Sequence, residues 1–348
     1  MTSPKAQYKL TQIIKDVRER KYPYEPRDKK PIDFGLYTVA QANELADYLS
    51  LTRSIVDEIW SEIGNIDQGS VGRPPKSCFN LAKAILLQQY FQCSNRVAAG
   101  LAKLFKEKLN ITEKLTDKDI ERAYENPNVA LVLRLLFEKT NEPVKHLEKD
   151  FTGDGTGMPT SIKQNYADDK EDERKVRLFD MMIGIIGTEY KLLTAVQIER
   201  GPVDENPFLV PLLEETKGLY DRINSFSYDA AAYSYDTIEY VDRIGATPYI
   251  FPRKNAVLKS YGCISKKKML LGFINHTQEW LRAYHKRSVG ESRHSADKRV
   301  FTRPVLKKIE CRRYFEGFAR ACRYNLRQLV YIYYVNGVEV RWLHNRGL

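Results

Sequence analysis

Apolar residues recur at helical spacing through much of the first 146 residues of this 348-residue chain. Val39, Ala42, Leu45, Ala46 and Leu49 form a stripe after Thr38, and Thr52 opens a second one with Ile55, Val56, Ile59, Trp60 and Ile63 before Gly64. Gly72-Arg73-Pro74-Pro75-Lys76 reads as a stiff basic connector, because proline forces extended backbone on the residue before it. Beyond it, Leu81, Ala84, Ile85 and Gln88 share a helical face. Ser94 caps a helix carrying Val97, Leu101, Leu104 and Phe105, Thr116 or Asp117 opens one with Ile120, Ala123 and Tyr124, and Asn128 begins another with Val129, Val132, Leu133 and Leu136. Short capped helices of this kind are compatible with a helix-turn-helix DNA reader. Residues 1–33 mix Lys, Arg, Tyr and Pro without a helical period and read as an extended arm.

Near Leu147 the texture changes. Apolar and β-branched runs at 178–187, 191–198, 226–228 and 247–251 predict strands, with helical patterns at 206–219 and 237–244 between them. Three strands close in sequence, followed by strands alternating with helices, predict an α/β mixed sheet with flanking helices. The expected organisation is a basic arm (1–35), an all-α domain (36–146), the α/β domain (147–335) and a C-terminal tail (336–348). The acidic stretch 168–173 falls in the first connection, where a solvated loop is expected.

Composition narrows the function. Hydrophobic residues make up 43% of the chain, enough for a core. No apolar run approaches the roughly 18 residues of a membrane span, and the first thirty residues carry no signal-peptide core, so a cytoplasmic protein is expected. Five cysteines without a Cys-x-x-Cys pair and five scattered histidines suggest neither a disulfide framework nor a zinc site. The net charge of +11 is concentrated: residues 253–327 hold 20 Lys or Arg against 5 Asp or Glu, a net of +15, leaving 11 − 15 = −4 for the rest. Such a concentration favours a polyanion, most simply DNA or RNA.

Candidate chemistry lies in and before that region. Taken as one helix, Tyr284, Arg287, Glu291 and Lys298 share a face about 60° wide, and Glu291 stands among Arg287, Arg293, Lys298 and Arg299. Gly290 weakens that helix by about 1 kcal/mol relative to Ala, so a bend at the acid is expected. Asp154 lies within Gly153-Asp154-Gly155, ordinarily a turn, where little steric cover would let a metal or phosphate approach. Asp229 follows the short strand 226–228 and precedes three alanines. Asp236 competes with it, but Asp236 with Glu239 reads as a capping box, which leaves Asp229 as the metal-binding candidate.

With these residues in place, the chain resembles the DDE transposases of bacterial and archaeal insertion sequences that carry a Tyr-Arg-Glu-Lys signature. Tyr284, Arg287, Glu291 and Lys298 match the signature. Asp154 in Asp-Gly-Thr-Gly is similar to the family's first acid, and Asp229 in Asp-Ala-Ala-Ala-Tyr-Ser-Tyr-Asp to its second. Pro-Arg-Lys-Asn at 252–255 and the helix at 312–329 are similar as well. The resemblance implies a ribonuclease-H-like catalytic domain in which Asp154, Asp229 and Glu291 bind two Mg²⁺ ions, with Mn²⁺ able to substitute. It also implies a helical domain that recognises terminal inverted repeats. Lys298 and Arg287 would contact double-stranded DNA near the cut with Tyr284 close by, and the charge of the same helix adds Arg293 and Arg299. The implied reaction frees a 3′-OH at a transposon end and transfers it to target DNA, in a synaptic homodimer at the nucleoid of a prokaryotic cell. Two other readings stay open: a metal-dependent nuclease such as a resolvase, and a non-catalytic DNA-binding protein derived from a transposase. Two carboxylates could also serve a glycosidase, but sugar hydrolysis has no use for the surrounding charge.

Overall fold

The computed structural model describes residues 4–26, 31–67, 74–164, 176–300 and 303–343, without the side chains of 163–164, 176–177, 294 and 296–298. Gly72, Arg73 and the acidic stretch 168–173 therefore lie outside the described residues.

Six helices precede the sheet: α1 (Pro4–Arg18), α2 (Phe34–Ile63), α3 (Cys78–Phe91), α4 (Asn95–Leu104), α5 (Asp117–Ala123) and α6 (Pro127–Lys139). Two of the expected caps are in place. The Ser94 side chain accepts the Val97 N–H, and Thr116 with Asp119 forms a reciprocal capping box at α5. Asn126 caps α6, two residues before the expected start.

Two expectations are corrected here. Residues 34–63 form one helix of 30 residues, because Thr52 is buried in mid-helix among the apolar residues it was expected to interrupt. The arm contains a helix, α1, whose Leu10, Ile13 and Ile14 are buried. It packs on α9 (Ile264–Asn275), and Gln7 brackets the distant backbone by donating to the Ala256 carbonyl (3.1 Å) and accepting from the Leu258 N–H (2.8 Å).

The sheet has five strands, β1 (Asp150–Gln164), β2 (Val176–Gly187), β3 (Leu193–Arg200), β4 (Ser225–Tyr228) and β5 (Thr247–Ile250), in the order β3-β2-β1-β4-β5. β1, β2 and β3 form an antiparallel meander, whereas β4 and β5 run parallel to β1 on its other side. Parallel neighbours need long crossovers, here supplied by α7 (Asn206–Leu219) before β4 and α8 (Tyr235–Arg243) before β5. This is the ribonuclease-H-like mixed sheet with flanking helices, preceded by an all-α region. Past β5 come α9, α10 (Thr277–Tyr284), a 3₁₀ turn at His285–Arg287, α11 (Ser288–Val300) and α12 (Glu310–Asn336).

α12 ties the two regions together. It packs on β3 and on α2, α3 and α6. Its buried Arg313 grips the buried Asp180 of β2 through two bonds, at 2.9 and 3.3 Å. Asn325 accepts from the Leu193 N–H (2.9 Å), and Arg327 pairs with Glu44 of α2 (2.6 Å). Beyond α12, Trp342 donates to Glu58 of α2 at 2.6 Å. Among the described residues no helix is long and apolar enough to cross a membrane.

Candidate active site

β1 and β4 are paired from Asp150–Ser225 to Thr152–Ser227. Two residues past the end of that pairing on each side stand Asp154, in the first half of β1, and Asp229, just beyond the last residue of β4.

Asp154 belongs to β1, opposite Gly184 of β2, and not to a turn. Its glycine neighbours serve close approach. A Cβ on Gly153 would lie 2.3 Å from the Tyr228 ring, and one on Gly155 would lie 2.0 Å from the Glu205 carboxylate. Asp229 leaves β4 and opens the 3₁₀ turn Ala230–Ala232 by accepting the Ala231 N–H at 2.7 Å. Asp236 does not cap α8. Ser234 does so by accepting the Thr237 N–H, because the helix begins at Tyr235 and places Asp236 in its first turn.

The segment carrying Glu291 is not one continuous helix. The 3₁₀ turn at His285–Arg287 separates α10 from α11, so Tyr284 ends one helix and Glu291 lies in the first turn of the next. Gly290 lets α11 approach β1: a Cβ there would meet the Asp154 Cβ at 3.1 Å. The glycine thus has a packing reason that outweighs its helix cost. Arg287 stands among the acids, paired with Glu291 at 2.8 Å and lying over the Tyr284 ring at 5.4 Å. Arg293 departs from expectation. It is 3% exposed, with its guanidinium over the Tyr324 ring and against the Met182 sulfur, because its place on α11 faces β2 and α12. Arg299 is exposed at the end of α11, and the Lys298 side chain lies outside the described residues.

The charges are interdependent. Burial first, then the nearby Glu291 charge, push the Asp154 carboxyl up to about 6, against the opposing pull of Arg287. Burial disfavours the Arg287 charge, but Tyr284, Glu291, Asp229 and Asp154 together hold its pKa above the usual value. Folded protein therefore retains the Asp154 proton more tightly than the unfolded chain does. The resulting stabilisation is present below the ordinary carboxylate value of 3.8 and is lost as the pH rises through about 6. It is worth at most about 3 kcal/mol. Urea unfolding in chelator at stepped pH should show this loss in the native chain and a flatter profile in Asp154→Asn.

Carboxylate oxygens are the donors a hard divalent cation takes. Among the described residues, however, no three Asp, Glu, His or Cys side chains are grouped closely enough to hold one. Arg287 lies among the three acids, paired with Glu291 and attracted by Asp229 and Asp154, and the shared cage expected from the sequence is not assembled among the described residues. A fourth acid, Glu205, lies directly before α7 and accepts a hydrogen bond from the Tyr228 hydroxyl. Sequence reading missed it, since Asp204-Glu205 ahead of Asn206-Pro207 looks like an ordinary acidic helix start.

The strand order and flanking helices define a ribonuclease-H-like fold, with Asp154 on its central strand and Asp229 just past the neighbouring one. Over 91% of its length the chain is 26% identical to the "Probable transposase for insertion sequence element ISA1214" of Archaeoglobus fulgidus, covering 92% of that protein. The resemblance to insertion-sequence transposases thus extends along nearly the whole chain. No family model matches. The solved "Mos1 transposase paired-end complex with left transposon end" aligns at a TM-score of 0.22 and 11% identity, covering 69% of this chain and 84% of that one. The "Mos1 mariner paired end complex with Mn" aligns at 0.22 and 11%, covering 78% and 83%. Likenesses of that size add nothing to what the sheet already shows.

Proposed function

We propose that this chain is a DDE transposase that binds the terminal inverted repeats of an insertion sequence, cleaves to free a 3′-OH and transfers that end to target DNA. What supports the reading is the placement of Asp154 and Asp229 each two residues past the β1–β4 pairing, with α11 packed against Asp154 at Gly290, next to Glu291. Asp154, Asp229 and Glu291 would hold two Mg²⁺, or Mn²⁺ in its place. Bound there, the ions supply activation of the attacking oxygen and stabilisation of the leaving one in an in-line displacement at phosphorus.

The remaining work falls to the chain. Arg287 is a cation beside the acids, and a DNA phosphate offers it an alternative partner that frees Glu291. Tyr284, 7% exposed, supports the Arg287 guanidinium from below. We assign DNA contact to exposed Arg299 and, from the signature, to Lys298. We assign end recognition to the helices of residues 36–146 and chemistry to 147–335, in a homodimer that brings two ends together in the prokaryotic cytoplasm.

The test is a plasmid carrying the DNA that flanks this gene, incubated with the full chain and Mg²⁺. Nicks exposing 3′-OH termini at inverted repeats, followed by joined donor–target products, are expected. Cleavage without joining would make the protein a nuclease, and binding without any metal-dependent product would make it a DNA-binding protein only.

A further inference from the structure

The β1–β4 ladder ends at Thr152–Ser227, two residues short of Asp154 and Asp229. No further rung of that ladder fixes the gap between the two acids. A side-chain bracket lies beside the gap instead. Tyr228, the last residue of β4, lays its ring where a side chain at Gly153 would stand, and its hydroxyl donates to Glu205 Oε2. Glu205 Oε1 in turn occupies the place of a side chain at Gly155.

Successive strand residues face opposite sides of a sheet. Gly153 and Gly155 therefore face one side and Asp154 the other, which puts Glu205 behind the strand from the acid. That location suits a buttress and not a ligand. Because Tyr228 directly precedes Asp229, anything that fixes Tyr228 against β1 also fixes where β4 releases Asp229.

Resting on the reading of Asp154 and Asp229 as metal ligands, we infer that Glu205 is a positioning residue that sets their separation through the Tyr228 hydroxyl. Two carboxylates sharing hard cations must be held to within about 0.5 Å of their working geometry, and this bracket supplies that constraint where the backbone ladder has stopped.

The experiment is Mn²⁺ titration of the full-length protein, read by the electron-spin resonance signal of free Mn²⁺, with metal-free melting temperatures recorded in parallel. Tyr228→Phe and Glu205→Ala should each weaken Mn²⁺ binding about tenfold, the size of effect known for groups that orient metal ligands. Glu205→Gln still accepts from the Tyr228 hydroxyl and should stay within about twofold of the native chain. The double variant Tyr228→Phe/Glu205→Ala should bind no more weakly than either single one, since both break the same bond.

Loss in Glu205→Gln equal to that in Glu205→Ala, with Tyr228→Phe unaffected, would overturn the inference by making the Glu205 charge the active element. Lowered melting temperatures with unchanged Mn²⁺ affinity would also overturn it, leaving a structural role. Asp154→Asn separates the levels. If it loses Mn²⁺ while the bracket variants do not, only the inference falls; if it too binds normally, the metal-site reading falls and takes the inference with it.

Discussion

Asp154→Asn should lower DNA strand cleavage by about 10³-fold or more while the protein still folds and binds DNA. An amide is a poor ligand for a hard cation, and the charge stabilisation a bound metal provides is worth several kcal/mol, each 1.36 kcal/mol being a factor of ten in rate. Folding should not suffer, because the native carboxylate is disfavoured by burial and by Glu291. Above pH 6 the metal-free variant should be more stable than the native chain. Glu291→Gln should be equally inactive, although its side chain is 56% exposed and its ion pair with Arg287 contributes little to stability. Gel shift, cleavage and urea melts on the same preparations check all three properties. A variant that fails to fold would make these acids structural, and one that still cleaves would remove them from the chemistry.

Gly153→Val should destabilise the fold by about 3 kcal/mol, the upper range for overpacking a core. Its Cβ would lie 2.3 and 2.5 Å from Tyr228 ring carbons and 3.2 Å from Phe226, residues that are 2% and 0% exposed. Neither ring has room to retreat. Tyr228 is held at its hydroxyl by Glu205, and Phe226 lies in the centre of the sheet. Gly155→Ala should cost much less, since it meets only the end of the Glu205 side chain. Urea midpoints of the two variants measure the difference.

What the sequence made legible follows from how local each signal is. The runs at 226–228 and 247–251 and the helix at 206–219 could be read because apolar residues cluster or recur within a few positions, and Ser94 and Thr116 because a cap acts within one turn. Leu10, Ile13 and Ile14 were hidden among Lys and Tyr, and the helix α1 packs on lies about 250 residues further on. Thr52 has a capping side chain, and only packing shows that it is buried inside a helix. Gly153 and Gly155 signal a turn locally, yet they are required by Tyr228 and Glu205, which arrive from other elements. Charge cannot reveal direction either: Arg293 and Arg299 look alike along the chain, but one is covered by Tyr324 and the other faces solvent. Type and order single out the three acids in the sequence, whereas the place of Arg287 among them is seen only in the fold.

The docking of α1 onto α9 and the backbone at 256–258 bears on how the protein is made. At about 5–20 residues per second, a ribosome needs roughly 12–50 s after finishing α1 to produce its seat. During that interval the greasy side of the first helix has no home on its own chain. A message cut short before codon 264 yields a polypeptide without the helix on which α1 docks, leaving Leu10, Ile13 and Ile14 without that cover.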